Sequence, residues 1–179
     1  MWVLSAGLLA GCPPNLHEPE GALGLLAEGC ASRDAKAIFP ALDERARHSL
    51  DAVINARGTA KGVIQASYPT EARAEALAQL GDGARAGTGA QLFAMRCGAG
   101  CLAQLCEGVG APASSRSEGD LTHVKTVRGA ELTLYRAKDR RYGVVWRSEE
   151  LMRERRRAFA ELSSIEANGK VYSAQGALK

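Results

Sequence analysis

Leu121-Thr122-His123-Val124-Lys125-Thr126-Val127, Glu131-Leu132-Thr133-Leu134-Tyr135 and Tyr142-Gly143-Val144-Val145-Trp146 follow one another within residues 121–146. The first run is β-branched and mixed from Thr122 to Val127. The second alternates polar and apolar, the period-2 pattern of a half-buried strand. The third is apolar around one glycine. Arg128-Gly129 and Lys138-Asp139-Arg140-Arg141 separate them as polar turns. Turns this short join antiparallel neighbours, so the stretch predicts a three-stranded meander. Such a sheet has one face to cover, and the rest of the chain must supply the cover.

The flanking sequence is helical in texture. Downstream, Ser148 reads as an N-cap with Glu149 and Glu150 in the first turn. Leu151, Ala158, Leu162 and Ile165 then line one face, and Asn168-Gly169 reads as the stop. Val171-Tyr172 is expected to fold back. Upstream, Ala22, Leu23, Leu26, Ala27 and Cys30 recur at helical spacing between Glu20 and Ala31. Ser32 reads as the cap of the next segment, which Pro40 interrupts. A helix follows from about Asp43 to Arg57, with Gly58 and Gly62 ending or loosening it. Pro69 opens another over Glu71 to Leu80, stopped at Gly81-Asp82-Gly83. Helix resumes over Ala90 to Met95 and Ala99 to Glu107. Residues 108–119, rich in Gly, Ala, Ser and Pro, read as an exposed loop. The expected fold is α+β: helices packed on a small curved antiparallel sheet, cone-like, with a long C-terminal helix.

The chain has 179 residues and a net charge of +3, unevenly spread. Residues 12–120 hold 10 Lys/Arg against 13 Asp/Glu, whereas residues 121–179 hold 13 against 7. A basic C-terminal third suits a solvated surface or an anionic one such as lipid headgroups. Aromatic residues make up 5%, too few for base-stacking platforms, so no nucleic-acid partner is expected.

Leu9-Ala10-Gly11-Cys12, closing the apolar run from Trp2, resembles the lipobox of a bacterial lipoprotein signal. The resemblance implies cleavage between Gly11 and Cys12 and lipidation of Cys12, with residues 1–11 as signal peptide. The run is far short of the ~20 residues that span a bilayer. Pro13-Pro14-Asn15 turns the chain extended, so residues 12–20 read as a tether and 21–179 as one α+β domain. Pro13 is not an acidic residue of the kind linked to inner-membrane retention. The expected place is therefore the cell envelope, at the periplasmic face of the outer membrane, with the membrane as partner and an envelope protein as a further one.

Ala31-Ser32-Arg33-Asp34-Ala35 leading into Phe39-Pro40-Ala41-Leu42-Asp43, together with Tyr142-Gly143-Val144-Val145-Trp146, is similar to segments of small lipoproteins of the nuclear-transport-factor-2-like superfamily, including myxobacterial ones of unassigned function. That family's fold is a curved sheet wrapped by helices around a pocket. The chain departs from it in having three clear strands and an added terminal helix.

With Cys12 assigned to the lipid, Cys30, Cys97, Cys101 and Cys106 remain, an even number suited to two structural disulfides with three possible pairings. Cys97 and Cys101 fall on one face of a helix, and Cys106 reaches Cys30 if the first helix packs on this segment. The alternative is a metal site at Cys97, Cys101 and Cys106. Its spacing is not the paired two-residue kind and no histidine is near, so no metal and no cofactor are expected. His17 lies in the tether and His48 on a helix surface. His123, on the first strand, is the candidate for acid–base work with Asp34 or Asp43, as in isomerases or cyclases of the cone fold. Gly87-Thr88-Gly89 and Gly98-Ala99-Gly100 lack the Gly-Lys-Ser/Thr continuation of a phosphate loop. Three readings result: a non-enzymatic, lipid-anchored binding or scaffolding protein; a small-molecule-binding or isomerase/cyclase-like cone domain using His123 and a carboxylate; and a secreted or cytosolic interaction domain in which the lipobox-like run is chance.

Overall fold

The computed structural model describes residues 14–176. Among them six α-helices pack on an open four-stranded antiparallel sheet. Helix α1 (Pro19–Ser32) starts on a proline, whose missing N–H is no loss in a first turn, and ends where Arg33 turns left-handed. Helix α2 (Ala35–Ile38) is capped by Asp34, whose carboxylate accepts from the Lys36 N–H at 2.9 Å. Ser32 is not that cap. Its hydroxyl donates to the Gly29 carbonyl at 2.7 Å and accepts from the Asp34 N–H. Pro40 turns the chain through a short 3₁₀ helix, Phe39–Ala41, in place of a continuous α-helix.

Helix α3 (Glu44–Ser67) continues past Gly58 and Gly62, ten residues beyond the expected end at Arg57. Helix propensity loses there to tertiary packing, because Ala60 between those glycines and Ile64 beyond them are buried. Helix α4 (Thr70–Gln79) and a 3₁₀ turn at Gly81–Ala84 follow. Helix α5 (Gly89–Cys106) is kinked at Gly98, which takes a φ of 45° that glycine adopts readily.

The sheet has a strand that the sequence reading places in a loop. Strand β1 (Pro112–Glu118) pairs antiparallel with β2 (Leu121–Thr126), which pairs with β3 (Glu131–Arg136), which pairs with β4 (Tyr142–Val144). Beyond its half-buried first residue, β1 is exposed on both faces, so its Ser-rich sequence carries no alternation. Backbone pairing to β2 and the turn at Gly119, where φ is 62°, hold it instead. Strand β4 is shorter than expected and stops before Val145 and Trp146. Its free edge is covered, because Leu42 bridges Val144 in parallel and the Asp43 N–H donates to the Val144 carbonyl at 2.9 Å.

Val124, Leu134 and Val144 carry the sheet's inner face into one core with Leu23, Leu26, Leu50 and Phe93. Trp146 stands edge-on to Phe93, ring centroids 4.7 Å apart. Gly143 is where the sheet meets the α3 cap: a Cβ there would lie 2.5 Å from the Asp43 Cα and 2.6 Å from the Leu42 carbonyl oxygen.

Helix α6 (Ser148–Gly176) runs seven residues past Gly169, so Asn168-Gly169 is not its stop and Val171-Tyr172 does not fold back. It lies parallel to α3. Ser148 meets Asp43 at one end, Arg57 pairs with Glu161 midway, and Tyr68 packs edge-on against Tyr172 at the other. Gly169 is a contact residue, since a Cβ would come within 2.9 Å of a Val63 methyl and 3.3 Å of the Ser67 Cβ. Ala60, Ile64, Tyr68 and Leu80 form a second, smaller core at this end.

Candidate functional site

The cysteines are joined in two pairs, Cys30–Cys106 and Cys97–Cys101. The first ties the last turn of α1 to the last residue of α5, with α2 packed on both helices. The second lies within α5 across the Gly98 kink. Its Cα atoms are 4.9 Å apart, against about 6.2 Å for residues four apart in a regular α-helix, so the kink brings them closer. With their sulfurs bonded to each other, Cys97 and Cys101 offer no thiolate to a metal, and Cys106 is taken up by Cys30. Among the described residues no group of three or more His, Cys, Asp or Glu side chains is placed to hold a metal ion.

His123 sits on β2 between two inward residues, Thr122 and Val124, and so faces solvent. Its cross-strand neighbours are Arg116 and Thr133, and its Nδ1 lies 3.2 Å from the Thr133 hydroxyl. Ser115, Arg116, Lys125 and Glu131 share with it an open groove of about 580 Å³ on the outer face of the sheet. The acid–base partners considered from sequence do not join it there. Asp34 is committed to the first turn of α2. Asp43 is fully buried and committed to two helix starts. One of its oxygens accepts from the Arg45 and Ala46 N–H groups at 2.9 and 3.3 Å and from the Arg45 Nε at 3.1 Å. The other accepts from the Ser148 hydroxyl. Ser148 thus acts as a donor that ties α6 to the α3 cap, a tertiary role that its place in the sequence does not disclose. The carboxylate lies where the positive ends of two parallel helices meet, which favours its charge.

Two further open grooves lie at the far end of α3 and α6. One, lined by Arg57, Tyr68, Gln79, Glu161 and Asn168, measures about 550 Å³. The other, beside Pro69, Arg73 and Tyr172, measures about 610 Å³. Tyr68 separates them and donates from its hydroxyl to the Ile165 carbonyl at 3.4 Å. The acidic groups along α6 are largely spent on arginines: Glu150 on Arg147, Glu154 on Arg96 at 2.6 Å, and Glu161 on Arg57. Arg153, Arg156 and Arg157 are exposed on α6. His48 is exposed on α3, 3.4 Å from Glu44.

The chain enters this body beside β4. The Leu16 carbonyl accepts from the Tyr142 N–H at 2.7 Å, and the Leu16 side chain packs on the core. Gly11 and Cys12, the residues of the lipobox-like run, lie outside the described residues. Among the described residues no helix is long and apolar enough to cross a membrane.

No family model, no curated protein and no solved structure matches the chain.

Proposed function

We propose that this chain is a lipid-anchored protein of the bacterial cell envelope, held through Cys12 at the periplasmic face of the outer membrane, with a non-enzymatic binding or scaffolding role. The carrying observation is the pairing of the cysteines. The four outside the lipobox-like run bond to one another, which leaves the fifth, Cys12, for a lipid. Two structural disulfides suit an oxidising compartment and are rare in a reducing cytoplasm. Several acyl chains on one cysteine anchor stably, whereas a single chain holds weakly. The exposed His123, bonded to a threonine, and the open grooves favour surface contacts over chemistry in an enclosed pocket. Within this reading the fold is a variant of the nuclear-transport-factor-2-like cone, with helices preceding a curved sheet and α6 added.

The test is the mass of the N-terminal peptide of the mature protein from a bacterial host. The expected peptide begins at Cys12 and carries acyl groups. An unmodified Cys12 behind an intact Met1 would overturn the reading.

A further inference from the structure

The membrane-facing side of the body follows from where the chain enters it, given the lipid anchor proposed above. Leu16 is fixed against Tyr142, and it shares a small groove with Ala137, Asp139 and Arg141 of the β3–β4 turn. Four residues of chain reach at most about 14 Å, so a lipid on Cys12 places the bilayer surface within about that distance of Leu16, which lies beside the turn. The turn is basic. Arg136, Lys138, Arg140 and Arg141 are all exposed. Asp120 lies 3.8 Å from Arg136 and Asp139 lies 3.5 Å from Arg141. Among the described residues Lys138 and Arg140 form no ion pair, and they line the turn's other groove with Asp120, Tyr135 and Arg136, while Asp139 and Arg141 line the one that holds Leu16.

We infer that the β3–β4 turn docks on anionic lipid headgroups beside the anchor, orienting the body so that α6 carries its far end, with Tyr68 and Tyr172, away from the membrane. Residues 148 to 170 of α6 span about 33 Å, the most that the helix can carry the far grooves away from its own start. The charge of the turn matches phosphatidylglycerol-type headgroups, and the short tether keeps the turn's Leu16 side near the surface. Each cation near such a surface favours docking roughly fivefold, so Arg140→Glu, a change of two charges, weakens it about 25-fold.

The experiment uses the full chain, purified from a bacterial host with its N-terminal mass determined. It is reconstituted in vesicles of phosphatidylethanolamine with phosphatidylglycerol, or of phosphatidylcholine alone. Amine-reactive labelling of Lys138 is compared with that of Lys170 at the far end. The expected result is at least fivefold protection of Lys138 relative to Lys170 in anionic vesicles. Protection is lost in phosphatidylcholine, in 0.5 M salt (roughly a 4 Å screening length) and in Arg140→Glu. An acylated chain whose Lys138 is labelled as fast as Lys170 in anionic vesicles overturns the orientation and leaves the anchor standing. Protection that persists in neutral vesicles or high salt overturns the electrostatic basis. An N-terminus without lipid overturns the anchor and this inference together.

Discussion

Removing Cys30–Cys106 is expected to destabilise the protein far more than removing Cys97–Cys101, although both bridges end on α5. The long bridge links residues 76 apart and the short one residues 4 apart. In the chain-entropy model a cross-link restrains the unfolded chain in proportion to the logarithm of the loop it closes. That gives about 4.5 kcal/mol for the long loop and about 2 kcal/mol for the short one. For a chain of this size 1 kcal/mol moves Tm by about 2–4 °C, so Cys30→Ala/Cys106→Ala should melt roughly 9–18 °C below the parent and Cys97→Ala/Cys101→Ala roughly 4–8 °C below it. Each pair is removed together so that no lone thiol is left to exchange. Cys97 is buried, so its alanine variant also loses packing, which narrows the gap between the two without reversing it. The assay is thermal unfolding followed by circular dichroism without reductant, with the double-pair variant and reduced parent as references. Near-equal melting of the two variants, or a less stable Cys97/Cys101 variant, would refute the loop argument and show that the short bridge acts on the native state. Equal melting of the parent with and without reductant would remove the disulfides from the account altogether.

Three further outcomes are expected. Gly58→Ala and Gly62→Ala each meet open space within α3, so each should raise stability by about 0.5–1 kcal/mol, read as a shift in the urea midpoint. Gly143→Ala forces a methyl against the Asp43 and Leu42 backbone and should cost about 1–3 kcal/mol by the same measurement; a neutral result would mean the β4 edge is not held as tightly as described. Ser148→Ala removes a buried donor from Asp43 and should cost about 1–3 kcal/mol, whereas Ser148→Thr, which keeps the hydroxyl, should recover part of the loss.

Much of the architecture was legible because local chemistry and tertiary need agreed. The alternation at Glu131–Tyr135, the glycine-bearing turn at Arg128-Gly129 and the Pro40 break all appear where the backbone rules place them. The mistaken boundaries share one cause. At Gly58, Gly62 and Gly169 a glycine looks like a stop, yet α3 and α6 lie side by side and their packing carries both helices through. At Gly169 the missing side chain is what the close contact with Val63 and Ser67 requires. Strand β1 was invisible for the opposite reason. Almost wholly exposed, it has no core to pattern its side chains, and only its partner strand makes it a strand.

By itself the sequence determined the α+β class, the meander, the even set of four cysteines and the lipobox-like run at Leu9–Cys12, since each depends on residues close together in the chain. Tertiary structure alone decided which cysteines pair, because α2 packs on both α1 and α5 and Cys30 and Cys106 end those two helices. It likewise decided that Asp43 serves two helix starts instead of His123, and that the basic β3–β4 turn sits beside the chain's entry at Leu16. Those relations join residues tens to more than a hundred positions apart, and no local period or propensity encodes a distance in space.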